Sequence, residues 1–109
     1  MPKFKDRETF SDRANAVMTD MRKVFEITPL QRNDYLSARY NSNIFLKRED
    51  LTPVRSYKLR GAFNSMRKMR SVSHFVCASA GNHAQGVAFM AAHFDVKATI
   101  YMPITTPQQ

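Results

Sequence analysis

Cysteine is almost missing from this 109-residue sequence, which contains only Cys77. A single cysteine cannot form an internal disulfide, so the sequence fits a reducing compartment such as the cytosol. No run of about eighteen apolar residues is present, so no membrane-spanning helix is predicted. The charged N-terminus, residues 1–7, is not followed by the apolar core of a signal peptide, so secretion is not expected. These absences predict a cytoplasmic protein.

Acidic residues are also scarce: 9 Asp and Glu oppose 17 Lys and Arg, which gives a formal net charge of +8. Such an excess is found in nucleic-acid-binding proteins, but its distribution argues against that function. Basic residues are spread from Lys3 to Arg70, and only Lys97 follows them. The two clusters, at 47–48 and 67–70, lie beside acidic or apolar residues, as on a solvated surface. We therefore predict no nucleic-acid partner; no metal site is predicted either.

The first half of the chain shows no internal repeat. Apolar residues spaced by three and four predict an amphipathic helix over 9–25. Thr9 or Ser11 would cap this helix, and Pro29 would stop it, because the residue before a proline avoids helical geometry. After it, the sequence predicts a short helix over 31–40, a turn over 41–43, a strand over 44–46 and a loop over 49–55.

The second half of the chain alternates between helical and strand patterns. The predicted elements are a helix over 58–69, a buried-type strand over 74–78, an alanine-rich helix over 82–94 and a strand over 98–102. Helices that alternate with short apolar strands indicate parallel β-α-β units, and hence the α/β class. A parallel sheet this small would leave strand edges and apolar faces uncovered. The pattern therefore predicts a truncated part of a larger α/β domain.

A lysine stands where a loop is predicted to meet a helix, in the segment Ser-Tyr-Lys-Leu-Arg-Gly-Ala at residues 56–62. The helix N-terminus carries partial positive charge and disfavours a protonated amine beside it, and burial acts in the same direction. Lys58 could then attack an aldehyde and form a Schiff base. Gly61 would let the helix approach a packed neighbour closely. The alternative is an ordinary exposed lysine, and this segment alone does not decide between them.

Small and polar residues fill the predicted strand-to-helix junction at residues 78–86, Ala-Ser-Ala-Gly-Asn-His-Ala-Gln-Gly. In open α/β folds, ligands bind beyond the carboxyl ends of the strands, and free N–H groups at a helix start favour an anion such as a carboxylate. Ser79 and Asn82 could equally cap the helix. His83 and Gln85 could be ordinary surface residues. Position alone leaves ligand binding and helix capping open.

Together, the two segments resemble the fold-type-II pyridoxal-phosphate enzymes, which have a tryptophan-synthase-β-like α/β fold, and within them the threonine and serine dehydratases. The pair Lys-x-Arg-Gly-Ala followed by Ser-x-Gly-Asn-His is specific, whereas neither half is specific alone. The resemblance keeps the family's order from about Thr28 to the last residue. The matching stretches are residues 28–30, 46–51, 56–62, 78–88, 98–103 and 105–107.

The resemblance implies a role for individual residues. Lys58 corresponds to the lysine that forms a Schiff base with pyridoxal phosphate and then acts as an acid–base group at the substrate's α-carbon. Tyr57 occupies a position, usually phenylalanine, that packs against the cofactor ring, and Asn82 corresponds to the asparagine that hydrogen-bonds the ring hydroxyl. The implied carboxylate-binding loop consists of Ser79, Ala80, Gly81, Asn82 and His83. Family racemases carry a serine at the position of Ala80, so alanine favours a dehydratase.

The function implied by the resemblance is conversion of L-threonine to 2-oxobutanoate and ammonia, in isoleucine biosynthesis or threonine catabolism, with serine as a second substrate. Family members are homo-oligomers. Residues 1–70 would belong to the large pyridoxal-phosphate domain and residues 71–109 to the start of the small domain. The family's glycine-rich phosphate loop has no counterpart in a chain whose glycines are Gly61, Gly81 and Gly86. Such an N-terminal fragment is expected to be inactive alone.

Two other interpretations stay open. The first is another fold-type-II enzyme, such as serine dehydratase or a cysteine-synthase-like protein. The run Ser-Ala-Gly-Asn-His favours threonine dehydratase, because cysteine synthases usually carry Thr-Ser-Gly-Asn-Thr. The second is a non-catalytic basic remnant or interaction module. It predicts no cofactor absorbance and no ammonia release from threonine, and salt-sensitive RNA binding would support it.

Overall fold

The computed structural model describes residues 5–108 of the chain. The helices are α1 (Lys5–Met21), α2 (Asp34–Arg39), α3 (Lys58–Met66) and α4 (Asn82–His93), with a short 3-10 helix at Glu49–Leu51. The strands are β1 (Leu30–Arg32), β2 (Phe45–Lys47), β3 (His74–Ala78) and β4 (Lys97–Tyr101). β1 pairs antiparallel with β2, and β3 pairs parallel with β4. Within the described range, no helix is long and apolar enough to cross a membrane.

The β3-α4-β4 unit confirms the predicted α/β class. β3 has the predicted bounds, while β4 begins one residue earlier than predicted. The two strands pair in register from His74 opposite Lys97 to Ala78 opposite Tyr101. Because adjacent parallel strands need a crossover connection, the chain between them must leave the sheet and return. α4 forms that crossover and packs against both strands.

The two-stranded sheet is covered on one face. Phe75 and Cys77 of β3 are half-buried and pack against the core, whereas Val76 between them is 63% exposed. Successive side chains of a strand point to opposite faces, and no element among residues 5–108 covers the second face. The prediction of a buried-type strand is therefore wrong for Val76. The predicted exposure of apolar sheet surface is confirmed.

The core lies between α3 and α4. Leu59 of α3 and Met90 of α4 are fully buried. α3 adds Ala62, Phe63 and Met66, which follow Leu59 at spacings of three and four residues and so lie on one face of the helix. Burial of one such leucine or methionine side chain stabilises the fold by about 1.5–3 kcal/mol. The proposed domain division at residues 70 and 71 falls between these two helices and stays a prediction.

At Gly86, the absence of a side chain allows α4 to lie close to α3. A Cβ added at Gly86 would lie 3.3 Å from the carbonyl oxygen of Lys58 and 3.5 Å from the Cβ of Ala62. Glycine therefore removes the atom that would hold the helices apart. The prediction that Gly61 has this role is wrong, because a Cβ at Gly61 would meet nothing within 4 Å.

α1 differs from the prediction at both ends. It spans Lys5–Met21, so Thr9 and Ser11 lie inside the helix rather than at its cap. The chain then continues as turns, in which the amide of Phe25 donates to the carbonyl oxygen of Met21 at 3.0 Å. Phe25 is nevertheless buried in the core. The predicted apolar stripe therefore does enter the core, although its last member, Phe25, lies beyond the end of α1.

Strand β1 lies where the sequence predicts the start of a helix. It pairs antiparallel with β2, which confirms the second strand with a shift of one residue. α2 begins at Asp34, and the side-chain oxygen of Asn33 caps it by accepting a hydrogen bond from the Leu36 amide at 2.8 Å. A three-residue strand carries no usable periodicity of its own, so the partner strand decides its conformation.

Candidate active site

Lys58 is the first residue of α3, at the end of a loop with a defined shape. The hydroxyl of Thr52 donates to the carbonyl oxygen of Ser56 at 2.9 Å and accepts from the Ser56 amide at 3.0 Å. The hydroxyl of Ser56 in turn accepts a hydrogen bond from the Lys58 amide at 3.3 Å. Thr52 and Ser56 are both buried. Side-chain-to-backbone hydrogen bonds therefore hold the predicted loop-to-helix junction that presents Lys58.

The Lys58 side chain lies over the ring of its neighbour Tyr57. The ammonium nitrogen is 5.3 Å from the ring centre, which is within the range of a cation–π interaction. Tyr57 is exposed and Lys58 is half-buried. The amine therefore lies beside an exposed aromatic ring.

The junction between β3 and α4 contains the second predicted segment. The hydroxyl of Ser79 accepts hydrogen bonds from the amides of Gly81 and Ala84, both at 3.3 Å. Ser79 thus satisfies two N–H groups at the helix start, where intrahelical partners are lacking. The capping alternative is therefore realised by the Ser79 side chain, whereas the N-cap position itself is Gly81 and Asn82 is the first residue of the helix. These bonds also give the loop ahead of α4 a defined shape.

An open cavity of about 660 Å³ lies between the loop that precedes the Lys58 segment and the start of α4. Its lining comes from the loop before Lys58 and from the first turn of α4, and consists of Pro53, Val54, Arg55, Asn82 and Gln85. Ala80 and His83 are exposed at the same junction. The backbone of Lys58 also packs against Gly86, one turn further along α4. The lysine segment and the asparagine segment are therefore neighbours, while the contacts of each residue with a ligand stay predictions.

A charged cluster with no predicted role includes Arg60, two residues after Lys58. The carboxylate of Glu49 accepts two hydrogen bonds from Arg60, from Nε at 2.7 Å and from Nη2 at 2.8 Å. The hydroxyl of Thr28 donates to the same carboxylate at 2.5 Å. Thr28 is buried, and Glu49 and Arg60 are half-buried. A two-pronged arginine–carboxylate pair of this kind is among the stronger polar contacts in proteins.

The ion pair changes the protonation behaviour of Glu49. The hydrogen bonds donated by the Arg60 guanidinium lower the pKa of Glu49 to about 2. Partial burial of the carboxyl opposes this change, while the Thr28 hydroxyl and the charge of Lys47 add to it. Glu49 in turn raises the pKa of Arg60. Both members of the pair are therefore charged at neutral pH.

No local pattern links the members of this cluster, because Glu49 lies 21 residues from Thr28 and 11 residues from Arg60. The sequence nevertheless contains a signal for them. All three fall within stretches that carry the family resemblance, although no ligand contact is implied for any of them. Residues that match a family without a role in its chemistry are candidates for structural contacts around the site.

The fold and the paired segments agree with a known family. A family model described as pyridoxal-phosphate-dependent enzyme matches residues 22–109. The chain therefore belongs to the family of pyridoxal-phosphate-dependent enzymes, as the Lys58 and Asn82 segments predict. Within this family, the chain is homologous to the biosynthetic threonine dehydratases.

The similarity to curated threonine dehydratases is high but covers a small part of them. The chain is 60% identical over 85 residues to the biosynthetic L-threonine dehydratase of Bacillus subtilis (strain 168), which covers 75% of this chain and 20% of that protein. It is 53% identical over 92 residues to the enzyme of Lactococcus lactis subsp. lactis (strain IL1403), which covers 82% of this chain and 22% of that protein. The chain thus spans about a fifth of the length of these relatives.

The fold of the chain is also similar to the folds of solved structures. The processed form of threonine deaminase isoform 2 from Solanum lycopersicum superposes with a TM-score of 0.71 at 40% identity, covering 90% of this chain and 29% of that chain. A second threonine deaminase, from T.th., gives a TM-score of 0.75 at 32% identity, over 83% and 32% of the two chains. Maize serine racemase gives 0.79 at 26% identity, over 88% and 30%. The predicted fold class, part of a fold-type-II pyridoxal-phosphate enzyme, is confirmed.

Proposed function

We propose that this chain supplies the lysine side of the active site of a threonine dehydratase, which converts L-threonine to 2-oxobutanoate and ammonia. Lys58 is the residue that holds pyridoxal phosphate covalently. The observation that carries the proposal is the contact between the two family segments, in which Gly86 of α4 packs against the backbone of Lys58. The 60% identity to a biosynthetic threonine dehydratase supports threonine as the substrate.

The residues of the two segments fit the cofactor. Lys58 offers an amine, Tyr57 an aromatic surface next to that amine, and Asn82 an amide in the cavity wall. Pyridoxal phosphate, when bound, supplies the electron sink that makes the α-proton of an amino acid removable. In this proposal, Lys58 moves the proton at the substrate's α-carbon. Tyr57 packs against the cofactor ring, and Asn82 hydrogen-bonds the ring hydroxyl.

The loop between β3 and α4 is proposed to bind the substrate carboxylate. The loop consists of Ser79, Ala80, Gly81, Asn82 and His83. Amide groups at a helix start attract an anion. The capping bonds of the Ser79 hydroxyl support the assignment, because they hold the loop in one conformation. Ala80 offers no group for a second proton transfer, which favours dehydration over the racemisation named for the maize structure.

The proposal concerns a part of the enzyme. Because the curated relatives are about five times as long as the stretch that matches, groups for the cofactor phosphate and the pyridine nitrogen are expected in the portion of the relatives that this chain does not match. The chain alone is expected to bind the cofactor weakly and to be inactive. The proposed enzyme is cytoplasmic and homo-oligomeric, with serine as a second substrate.

Borohydride trapping tests the cofactor assignment. The chain is incubated with pyridoxal phosphate, reduced with borohydride and digested, and the labelled lysines are mapped by mass spectrometry. We expect the label to concentrate on Lys58, because its amine lies over the exposed ring of Tyr57 and its backbone packs against the asparagine segment. Lys68, an exposed lysine just beyond α3, is the matched reference within the same sample. A label distributed evenly over the lysines would show that Lys58 has no special reactivity.

A chimeric enzyme tests the substrate. Residues of this chain replace the matching 85-residue stretch of the Bacillus subtilis threonine dehydratase, and release of 2-oxobutanoate from threonine is measured. We expect the chimera to be active, to prefer threonine to serine, and to lose activity in the Lys58→Ala form. The alternative of a non-catalytic remnant predicts that a stably folded chimera is inactive with either residue at position 58.

A further inference from the structure

Arg60 connects segments that are far apart in the sequence. Its guanidinium binds Glu49 through two hydrogen bonds and donates to the Thr28 hydroxyl at 3.3 Å. The same group lies 5.5 Å from the ring centre of Phe25 and 3.9 Å from the sulfur of Met21. One side chain of α3 thus fastens the helix to the end of α1, to the segment before β1 and to the 3-10 helix.

Arg60 also belongs to the first turn of α3. Its amide donates to the carbonyl oxygen of Tyr57 at 3.1 Å, and this bond closes the turn that contains Lys58. On the α4 side, the carbonyl group of Lys58 packs against Gly86. Lys58 therefore lies between two fixed contacts, the charged cluster at Arg60 and the close helix approach at Gly86.

A second ion pair in the same loop provides a contrast. Arg48 also forms two hydrogen bonds to a carboxylate, that of Asp50, at 2.8 and 2.7 Å. This pair joins residues that are two apart in the chain. The Asp50 side chain is 56% exposed, whereas that of Glu49 is 18% exposed. Exposed ion pairs between near neighbours contribute little to the stability of a fold. The Arg48–Asp50 pair therefore has the same chemistry as the Glu49–Arg60 pair but does not connect distant segments.

We propose that the Glu49–Arg60 pair, completed by the Thr28 hydroxyl, is a positioning unit that fixes the first turn of α3 and with it the position of Lys58 against α4. The inference rests on the proposed function, because it takes Lys58 as the residue that binds the cofactor. A planar guanidinium that meets a carboxylate through two bonds defines an angle as well as a distance. Arg60 and Glu49 act through the backbone of α3 and need not touch the cofactor.

Three substitutions separate this role from general stabilisation. Glu49→Gln removes the charge at nearly constant shape, and Arg60→Lys keeps the charge but removes the two-pronged geometry. Asp50→Asn makes the same chemical change in the neighbouring exposed pair and is the matched control. Each folded variant is examined by backbone hydrogen exchange of residues 57–61, with α4 as the internal reference. The share of borohydride-trapped pyridoxal phosphate on Lys58 is the second measurement.

We expect Glu49→Gln to accelerate exchange in residues 57–61 about fivefold, because a charge-assisted double hydrogen bond to this turn is lost. The share of label on Lys58 should fall by a similar factor, while exchange within α4 changes much less. Arg60→Lys should give an intermediate result in both measurements. Asp50→Asn should match the parent chain.

Equal acceleration in α3 and α4 would overturn the proposal, because the pair would then stabilise the fold as a whole. An unchanged share of label on Lys58, despite faster exchange, would overturn it as well. If Glu49→Gln fails to fold, Arg60→Lys decides: it must lose Lys58 label while α4 remains protected. If the parent chain itself shows no preference for Lys58, the assignment of Lys58 as the cofactor lysine is wrong, and the exchange data alone decide whether the pair fixes the turn.

Discussion

Replacing Gly86 with alanine perturbs the contact that brings together the two segments of the proposed active site. The added methyl group would lie 3.3 Å from the carbonyl oxygen of Lys58 and 3.4 Å from its carbonyl carbon. Favourable contacts between carbon atoms are about 3.5–4.0 Å long. α3 and α4 must therefore separate slightly. The atoms that the methyl group meets belong to the backbone of a helix, so they cannot rotate aside as a flexible side chain would.

Two opposing effects set the magnitude of the change. Alanine is preferred to glycine in a helix interior by about 0.8–1.0 kcal/mol. Inserting a methyl group into a well-packed contact costs about 1–3 kcal/mol. The contact lies between the helices that bury Leu59 and Met90, so a small separation loosens the centre of the core. We expect Gly86→Ala to lower the free energy of unfolding by about 1 kcal/mol, the middle of the cost less the gain in helix propensity.

Gly61→Ala is the matched control for this prediction. Gly61 also lies inside a helix, but a Cβ there would meet nothing within 4 Å. Its replacement should raise the free energy of unfolding by about 0.5–1 kcal/mol. Urea denaturation followed by circular dichroism measures both variants. If Gly86→Ala stabilised the chain as much as Gly61→Ala, close packing at Lys58 would not limit the approach of the helices, and the reasoning would be refuted.

Two further substitutions and one acid titration test other features of the structure. Ser79→Ala should lower the urea-derived stability by about 1 kcal/mol, because two amides at the start of α4 lose their acceptor; no change would contradict the capping role. Arg55→Asn should raise stability by about 0.5–1 kcal/mol in thermal denaturation, because Arg55 has a φ of 56°, a left-handed conformation that asparagine tolerates better; a lower midpoint would count against this. The pKa of Glu49 in the folded chain, about 2, lies below its ordinary value of 4.5, so its contribution is complete above about pH 4.5 and is lost as the pH falls toward 2. Acid titrations of stability should therefore be flatter in Glu49→Gln than in the parent chain.

The second half of the fold was predictable because its signals are local. In α3, the spacing of Leu59, Ala62, Phe63 and Met66 is visible in the sequence and is the same stripe that the core buries. β3 has the predicted bounds, and α4 begins at the predicted Asn82. Repeated periodicity over a long element is the most dependable feature of a sequence, since each turn of the helix repeats the same requirement for burial.

The errors of prediction share a different cause. β1 takes its conformation from β2, whose paired residues lie 13 to 17 positions further along the chain, so the three residues of β1 alone do not predict a strand. Val76 is apolar and yet exposed, because only one face of the sheet has a cover among the described residues. Gly61 and Gly86 are alike as sequence signals. Which of them permits a close approach depends on where the other helix lies.

The sequence by itself determined the family and the two segments of the proposed site, since the Lys58 and Asn82 motifs consist of neighbouring residues whose types and spacing can be compared directly. Only the tertiary structure decided how these segments meet, through Gly86 against the backbone of Lys58. It also decided that Glu49 pairs with Arg60, and Asp50 with Arg48, although the two acids are adjacent in the chain. The physical reason is that such contacts depend on distances between segments, and those distances exist only once the core between α3 and α4 has formed.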